Sequence, residues 1–269
     1  MTDVVGGNQH VAIRIVGTPV SLISMNRMLT LLESWVRDRR DRFVVLRDVH
    51  GVMRARRDHE LRKAHEVADV VAPDGMPLVW AARAAGADGI SRVCGPDLLP
   101  AACQYGVGLG WRHYFYGGAP GVAEAMVGHL TKAYPGIQIA GFYSPPFHGM
   151  SQEEDEAICA KIRETRPDFV WVGLGTPKQE IWMHEHRGRC GGATMLGIGA
   201  AFDIYAGATS RAPRWMQDNG LEWAHRLIHE PKRLWRRYLL LAPAFVVLAL
   251  LDVVRGRVRL LALRPTRSN

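Results

Sequence analysis

The chain has 269 residues, enough for one large α/β domain or two smaller ones, and its 48% hydrophobic content is ample for a buried core. Four scattered cysteines without a CxxC motif exclude a disulfide framework and indicate reduced thiols, and no secretory signal peptide is predicted at the amino terminus. The formal net charge of +8 lies entirely in residues 226–269, where ten basic residues accompany two acidic ones.

Strand-like and helix-like segments alternate along the chain. Strands are predicted at residues 11–16, 43–46, 70–72, 113–116, 137–142, 169–172 and 195–198. Helices are predicted at residues 24–37, 52–67, 76–85, 96–105, 120–133 and 153–165. This alternation predicts an α/β fold with a mostly parallel, doubly wound, Rossmann-like sheet. We expect an α/β domain over residues 1–225 and a helical, basic carboxyl-terminal appendage over residues 226–269.

The appendage contains an apolar run that is interleaved with basic flanks. Residues 238–251 number 14, about 21 Å as a helix, which is short of the roughly 30 Å core of a bilayer. Pro243 could also kink the helix. The pattern favours a segment lying on or dipping into one leaflet of an anionic membrane, anchored by Trp235, Tyr238 and arginines. A buried core helix is the alternative, and the apolar run argues against nucleic acid as the anionic partner.

Polar or glycine-rich residues follow four of the predicted strands. They are Asp48 with His50, Asp74, Gly117 with Gly118, and residues 176–180. Ligands of doubly wound sheets bind beyond the carboxyl ends of the strands, so we expect these segments to converge on one site. Residues 172–180 and 199–207 each look like a strand that ends in glycine and opens into a helix, an arrangement suited to a phosphate group.

Five ordered blocks of the sequence resemble the WecG/TagA/CpsF glycosyltransferases of bacterial envelope polysaccharide synthesis. The resemblance extends over about residues 16–238 and is carried by residues 72–80 (APDGMPLVW), 95–99 (GPDLL), 116–122 (YGGAPGV), 172–180 (VGLGTPKQE) and 199–223.

The resemblance implies an enzyme that transfers a sugar, by default N-acetylmannosamine, from a UDP-sugar donor to an undecaprenyl-diphosphate-linked sugar. It implies inversion at the anomeric carbon without a metal or cofactor, by a peripheral protein on the cytoplasmic face of the inner membrane, in envelope or exopolysaccharide synthesis. Transfer of glucose from UDP-glucose to a lipid-linked glucose is an alternative. Assembly into a homo-oligomer is left open.

By this resemblance, Asp74 is the candidate base that removes the proton of the acceptor hydroxyl. A helix N-cap before residue 76 is its alternative role. The resemblance also implies substrate contacts for Arg92 and Gln179. Three basic residues are implied to reach the lipid diphosphate, and they would share one helical face if Pro231 does not break the helix: Arg226, Arg233 and Arg236.

The sequence departs from the family after the second predicted strand. Members often carry Thr-x-Asn where this chain has Leu46-Arg-Asp48, followed by His50. Asp48 and His50 are therefore candidates for a substrate contact or auxiliary acid–base role, with a structural role equally open, and the donor sugar is in question.

A departing UDP group gathers negative charge that must be neutralised. The strand ends carry no Asp-x-Asp that would hold Mg²⁺, so backbone amides and basic side chains are expected to serve. The remaining candidate substrate-binding residues are Gly117, Gly118, Gly175, Lys178, Asp203, Arg211 and Arg214.

Two other classes of function would leave different signatures in the sequence. A nucleotide-dependent oxidoreductase or methyltransferase would carry GxGxxG after the first strand, whereas this chain has Val16-Gly-Thr-Pro-Val20. A non-catalytic binder of membranes or nucleic acid would use the basic segment alone, and an assay for sugar transfer would distinguish it.

Overall fold

The computed structural model describes residues 10–146, 149–256, 258 and 260–263. The strands of the described part are β1 (His10–Ile15), β2 (Thr18–Ser21), β3 (Arg42–Arg47), β4 (Val70–Pro73), β5 (Arg112–Gly117), β6 (Gln138–Tyr143), β7 (Phe169–Gly173), β8 (Thr194–Gly197) and β9 (Leu260–Leu263). The helices up to the last parallel strand are α1 (Met25–Asp38), α2 (Val49–Ala55), α3 (His59–Val67), α4 (Met76–Ala84), α5 (Gly95–Val107), α6 (Val122–Ala133), α7 (Gln152–Thr165) and α8 (Lys178–Glu185). The later helices are α9 (Ala201–Tyr205), α10 (Arg214–Asp218), α11 (Glu222–His229), α12 (Pro231–Arg236) and α13 (Ala242–Val254), with a π-helical turn at Arg237–Leu241.

A six-stranded parallel sheet in the order β4-β3-β8-β7-β5-β6 forms the centre of the molecule, which confirms the predicted α/β fold. Alternate residues of each strand face opposite sides. Val44 and Leu196 pack with α1 and α5 on one face, while Val45 and Met195 pack with α8 on the other. Because both faces are covered, the central strands contain unbroken runs of buried apolar residues, such as residues 43–46 of β3 and 169–172 of β7.

The predicted helix over residues 52–67 is wrong in its extent, because the structure contains two helices, α2 and α3. Asp48 caps the first, and its side chain accepts a hydrogen bond from the Gly51 N–H at 2.9 Å. Asp58 caps the second by accepting from the Leu61 N–H at 3.1 Å. The side chain of Asp58 thus begins a new helix inside a segment whose polar character looked continuous.

A second, antiparallel sheet joins the two ends of the described chain. Its order is β2-β1-β9, and Ile13 of β1 pairs with Leu260 of β9. Neither β2 nor β9 was predicted, because β2 (TPVS) contains a proline and β9 (LLAL) shows no alternation of polar and apolar residues. The segment after α13 therefore returns to the amino-terminal strand, while the division into two domains at residue 225 stays a prediction.

The apolar carboxyl-terminal helix is longer than the sequence indicated. The continuous helical stretch Leu234–Val254 has 21 residues and a mean hydropathy of 2.0, long and apolar enough to cross a membrane. The expectation that it falls short of a bilayer was therefore wrong, since it rested on 14 residues. Only 11% of its most apolar part is buried, so the alternative of a core helix is also wrong. Phe245 and Ala249 make its buried contacts with the body of the protein.

The approach of Gly51 to the buried Arg47 side chain generates a test of the packing. A Cβ on residue 51 would overlap the Arg47 guanidinium group and lie 2.8 Å from its Cδ. Arg47 is fully buried and paired with Glu180, so it cannot yield without breaking that pair. We expect Gly51→Ala to lower the free energy of unfolding by about 1–3 kcal/mol, measured by chemical denaturation in detergent.

Gly128→Ala is the matched control, because Gly128 is an exposed helical residue with open space around its Cα. This change should be neutral or stabilise by about 0.5–1 kcal/mol. Equal effects of the two substitutions would contradict the proposed packing of Gly51 on Arg47.

Candidate active site

A cavity of about 1040 Å³ lies at the carboxyl edge of the parallel sheet. The ends of β3, β5, β7 and β8 form its floor, and α11, the π-helical turn and the start of α13 form one wall. The predicted site residues that line it are Asp48, His50, Asp74, Arg92, Gly118, Gly175, Lys178, Gln179, Asp203, Arg211 and Arg226. The structure therefore brings the four strand-end segments together, although they are distant in sequence.

Four of the predicted residues are not part of this lining as the structure describes it. Gly117 lies behind it with its backbone packed on Gly173, and a Cβ there would be 2.6 Å from the Gly173 carbonyl. Arg214 and Arg236 are exposed outside the cavity. The Arg233 side chain lies outside what the structure describes.

Asp74 follows β4 and lines the cavity. Its backbone N–H donates to the Arg47 carbonyl at 2.8 Å, while its carboxyl group makes no hydrogen bond to any described residue. The N-cap of α4 is Gly75, so the alternative role of Asp74 as that cap is wrong. Burial, followed by the negative charges of Asp48 and Glu222, raises the pKa of Asp74 to about 7. A carboxyl group of this pKa can accept a proton near neutral pH.

Asp48 lies beside Asp74 in a very different environment. Its carboxylate caps α2 and forms an ion pair with the Arg237 guanidinium group. Burial opposes its ionisation, but Arg237, Arg47 and the Gly51 N–H outweigh burial and lower the pKa of Asp48 to about 2. Asp48 is therefore a permanently charged group that is committed to two partners.

His50 stands in the first turn of α2 and lines the same cavity. Burial lowers the pKa of His50, with the positive charges of Arg237 and Arg54 adding to the effect and Asp48 opposing it. The imidazole is therefore neutral at pH 7 and has one donor and one acceptor nitrogen to offer.

Arg237 is a cavity residue that the sequence reasoning missed. The predicted common face of three arginines does not form on one helix, because α11 ends at His229 and α12 begins at Pro231. The π-helical turn beginning at Arg237 then directs that side chain to Asp48, while the exposed Arg236 lies over the Trp235 ring at 5.2 Å. Pro231 was the available signal that the helical phase would change.

A network of alternating charges forms the wall between α5 and α11. The Arg92 guanidinium group donates to Glu222 at 2.9 Å and to Asp97 at 3.1 Å. Arg211 reaches Asp97 at 2.6 Å and Glu222 at 3.5 Å. Glu222 was not predicted, and no local pattern identifies it. It ties the carboxyl-terminal helices to the sheet edge and adds negative charge near Asp74.

A buried polar cluster supports the floor of the cavity. Arg47 and Glu180, both fully buried, pair at 2.5 Å. The Gln179 amide nitrogen donates to Glu180 at 3.1 Å, and the Thr176 hydroxyl donates to it at 3.0 Å. The Gln179 amide oxygen is buried without a partner among the described residues. Gln179 is thus held by its nitrogen and has its oxygen available to a ligand that can donate a hydrogen bond.

The backbone amide of Gly118 is already used within the protein. It donates to the Gly173 carbonyl at 3.0 Å, joining the ends of β5 and β7. The expected phosphate contact through this N–H is therefore not available, although Gly118 lines the cavity. Its positive φ of 74° explains why glycine occupies the position.

Within the described residues, one group has the composition of a metal site, and it lies outside the cavity. Its potential ligand atoms on Asp155, Cys159 and His186 are within 4.8 Å of one another. The Asp155 carboxylate is bound to His186 at 2.8 Å and to Arg189 at 2.7 Å. The hydrogen bond between His186 and Asp155 and the ion pair between Asp155 and Arg189 account for the approach of the His186 and Asp155 side chains.

At the carboxyl edge of the α/β fold, the cavity brings a strand-end carboxyl group and several guanidinium groups into one lining. The chain belongs to the WecG/TagA/CpsF family of glycosyl transferases, whose family model matches residues 13–259. The family predicted from the five sequence blocks is thereby confirmed.

Curated relatives carry the name N-acetylglucosaminyldiphosphoundecaprenol N-acetyl-beta-D-mannosaminyltransferase. The protein of Bacillus spizizenii is 34% identical over 172 residues, and that of Bacillus subtilis is 34% identical over 173 residues. The protein of Staphylococcus aureus is 29% identical over 169 residues. These matches cover 63–64% of this chain and 65% of the length of each relative.

The Asp48–Arg237 ion pair is expected to hold the carboxyl-terminal helices against the cavity. Arg237→Gln removes the counter-ion of Asp48, which costs about 1–3 kcal/mol for a charged group left without its partner. We expect amide hydrogen exchange in α12 and α13 to become about tenfold faster, measured by mass spectrometry of peptides from protein in detergent.

Arg236→Gln is the matched control, since Arg236 is the preceding residue and is exposed. Its exchange should stay close to that of the unaltered protein. Similar acceleration in both variants would show that the helices are held by something other than the Asp48–Arg237 pair.

Proposed function

We propose that this protein transfers N-acetylmannosamine from a UDP-sugar to an N-acetylglucosamine linked to undecaprenyl diphosphate, with inversion and without a metal ion. The observation that carries the proposal is the position of Asp74, whose carboxyl group faces several arginines in a cavity large enough for both substrates. Family membership and the names of the relatives supply the substrate class.

The proposed reaction is a single displacement. The acceptor hydroxyl oxygen attacks the anomeric carbon, the bond from that carbon to the UDP oxygen breaks, and the hydroxyl proton passes to Asp74. Asp74 suits this role because its pKa of about 7 allows it to be ionised before attack and to hold a proton afterwards. Asp48 is too acidic to hold that proton, so we assign it to the positioning of Arg237.

Arginines are proposed to neutralise the charge of the departing diphosphate. Arg92 and Arg211 are held at the cavity wall by Asp97 and Glu222, while Arg226 and Arg237 enter from the carboxyl-terminal helices. Planar guanidinium groups bind phosphate oxygens in a bidentate manner, and held in place they need little reorganisation during the reaction. The free oxygen of Gln179 could accept a hydrogen bond from the uracil or from the sugar.

The proposed location is the cytoplasmic face of the membrane, with α13 lying along one leaflet. Its exposed residues are apolar and include Val246, Val247, Leu250 and Val254. A helix that crossed the bilayer would carry its carboxyl end to the other side, whereas β9 begins six residues after α13 and pairs with β1. This pairing supports a peripheral arrangement despite the length of the helix.

The main cavity opens beside the amino-terminal end of α13, where Tyr238 and Ala242 belong to its lining. An acceptor could therefore place its diphosphate among the arginines and its prenyl chain along the apolar face of the helix.

Glucose transfer to a lipid-linked glucose is the second candidate. The replacement of Thr-x-Asn by Leu46-Arg-Asp48 keeps this candidate open, because Leu46 and Asp48 line the cavity in which a donor sugar would bind.

A panel of UDP-sugars offered with a short-chain prenyl-diphosphate N-acetylglucosamine acceptor, and with the corresponding glucose acceptor, tests the function by the mass of the product. Asp74→Asn should bind the donor normally but transfer the sugar about 10²-fold more slowly or worse, because the base is lost. Asp88→Asn removes an exposed acid outside the cavity and should transfer at the normal rate.

No transfer from any donor would refute the proposed function. If the unaltered protein transfers sugar and Asp74→Asn does so at a near-normal rate, the proposed function stands and only the assignment of Asp74 as the base is refuted.

The raised pKa of Asp74 predicts the dependence of activity on pH. The ionised carboxylate is the active form, so kcat/KM should rise with pH and level off above a midpoint near 7. Because the charge of Glu222 helps to raise this pKa, Glu222→Gln should move the midpoint to lower pH. Glu164→Gln, an exposed acid on α7, is the control and should leave the midpoint unchanged. If the midpoint of the Glu222→Gln variant is unchanged or higher, the rise of kcat/KM with pH does not report the ionisation of Asp74.

A further inference from the structure

A second cavity, of about 310 Å³, lies on another part of the surface. The turn between β1 and β2, the end of α2, helix α3 and the carboxyl-terminal half of α13 enclose it. The residues that matter to its chemistry are Thr18, Arg56, Arg62, His65, Leu248 and Asp252. Neither the family resemblance nor the transfer reaction uses any of them.

His65 is the buried polar group of this cavity. It is 1% exposed, and neither of its ring nitrogens has a hydrogen-bond partner among the described residues. Burial, with the nearby Arg47 charge adding to it, lowers the pKa of His65 to about 2, so the ring is neutral. A buried donor and acceptor left unmet cost about 1–3 kcal/mol, which favours a polar occupant that binds them.

Two arginines stand at the exposed side of the same cavity. Arg56 follows α2 and Arg62 lies on α3, and neither forms an ion pair or a side-chain hydrogen bond within the described part of the chain. Nearby acids are engaged elsewhere, since Glu66 pairs with Arg14 and Asp58 with Arg54. These two guanidinium groups are therefore available to an anion.

Asp252 is the acid that lines this cavity. Its carboxylate accepts a hydrogen bond from the Val16 N–H at 3.1 Å. Val16 has a φ of 49°, which is strained for a β-branched residue, and the bond to Asp252 helps to hold the turn in this shape. The cavity lining therefore has one negative charge, on Asp252, and two positive charges, on Arg56 and Arg62, so its net charge is positive.

We propose that this second cavity binds a phosphate ester of the size of a lipid headgroup. Arg56 and Arg62 would bind the phosphate oxygens, because guanidinium groups match phosphate geometry. The neutral ring of His65 would donate one hydrogen bond from the base of the cavity, and the Thr18 hydroxyl would supply another. The volume of 310 Å³ is at the lower end of the range for small-ligand sites.

The position of the cavity indicates where such a phosphate would come from. Leu248 and Asp252 belong to α13, and Ala242 of the same helix lines the main cavity. Ala242 and Asp252 are ten positions apart, which is about 15 Å along this helix. A phosphate ester at the surface of the leaflet that holds α13 would meet the second cavity. An anionic lipid headgroup therefore fits its location, and a soluble phosphate ester fits its chemistry.

Two double variants with the same change in charge test the site. Arg56→Gln/Arg62→Gln removes the two cavity arginines, whereas Arg57→Gln/Lys63→Gln removes two adjacent exposed charges that do not line the cavity. Binding is measured without donor or acceptor, so the result is independent of the proposed transfer reaction. The probes are glycerol 3-phosphate, titrated by calorimetry, and phosphatidylcholine vesicles with or without phosphatidylglycerol, assayed by flotation.

We expect the Arg56/Arg62 variant to bind at least one probe about tenfold more weakly than the Arg57/Lys63 variant. A difference with vesicles containing phosphatidylglycerol alone identifies a lipid headgroup as the ligand. A difference with glycerol 3-phosphate shows that a soluble ester suffices. Equal binding by the two double variants with both probes would overturn the proposal that this cavity binds a phosphate ester.

Discussion

Parallel alignment of the central strands is the constraint on which the site depends. Parallel strands place all their carboxyl ends at one edge, so Asp48 after β3, Asp74 after β4 and Gln179 beyond β7 meet although they are distant in sequence. Burial of both sheet faces leaves that edge as the place where polar side chains can gather around a ligand. The cavity is thus a consequence of the direction in which the strands run.

The electrostatics of the site follow from unequal surroundings of two neighbouring carboxyl groups. Asp48 has a guanidinium partner and a backbone donor and stays ionised, with a pKa of about 2. Asp74 is half-buried near Asp48 and Glu222 without such a partner, and desolvation and these two negative charges raise its pKa to about 7. Two carboxyl groups whose pKa values are driven apart can take different roles, one fixing charge and the other exchanging a proton.

Long-range contacts decide how the carboxyl-terminal segment is used. Arg237 ties it to the main cavity, Phe245 and Ala249 pack it on the body, and β9 returns to β1. Buried Arg47 pairs with Glu180 beneath the main cavity, and its charge contributes to the lowered pKa of His65 in the second cavity. The two cavities therefore share a helix on one side and a buried cation on the other.

Sequence alone determined the parallel α/β fold, the strand ends that carry the site and the family, because alternating periodicity and contiguous motifs are local properties. It pointed to Asp74, and it left Asp48 between structural and chemical roles. Only the tertiary structure showed that Arg237, and not Arg236, reaches the cavity and pairs with Asp48. It also showed that Glu222 lines the cavity and that β9 pairs with β1. The direction of the Arg237 side chain depends on the helical phase after Pro231 and on the π-helical turn. The pairing of β1 with β9 joins two short strands that are far apart in sequence. Both features depend on packing between distant segments, which no local sequence pattern records.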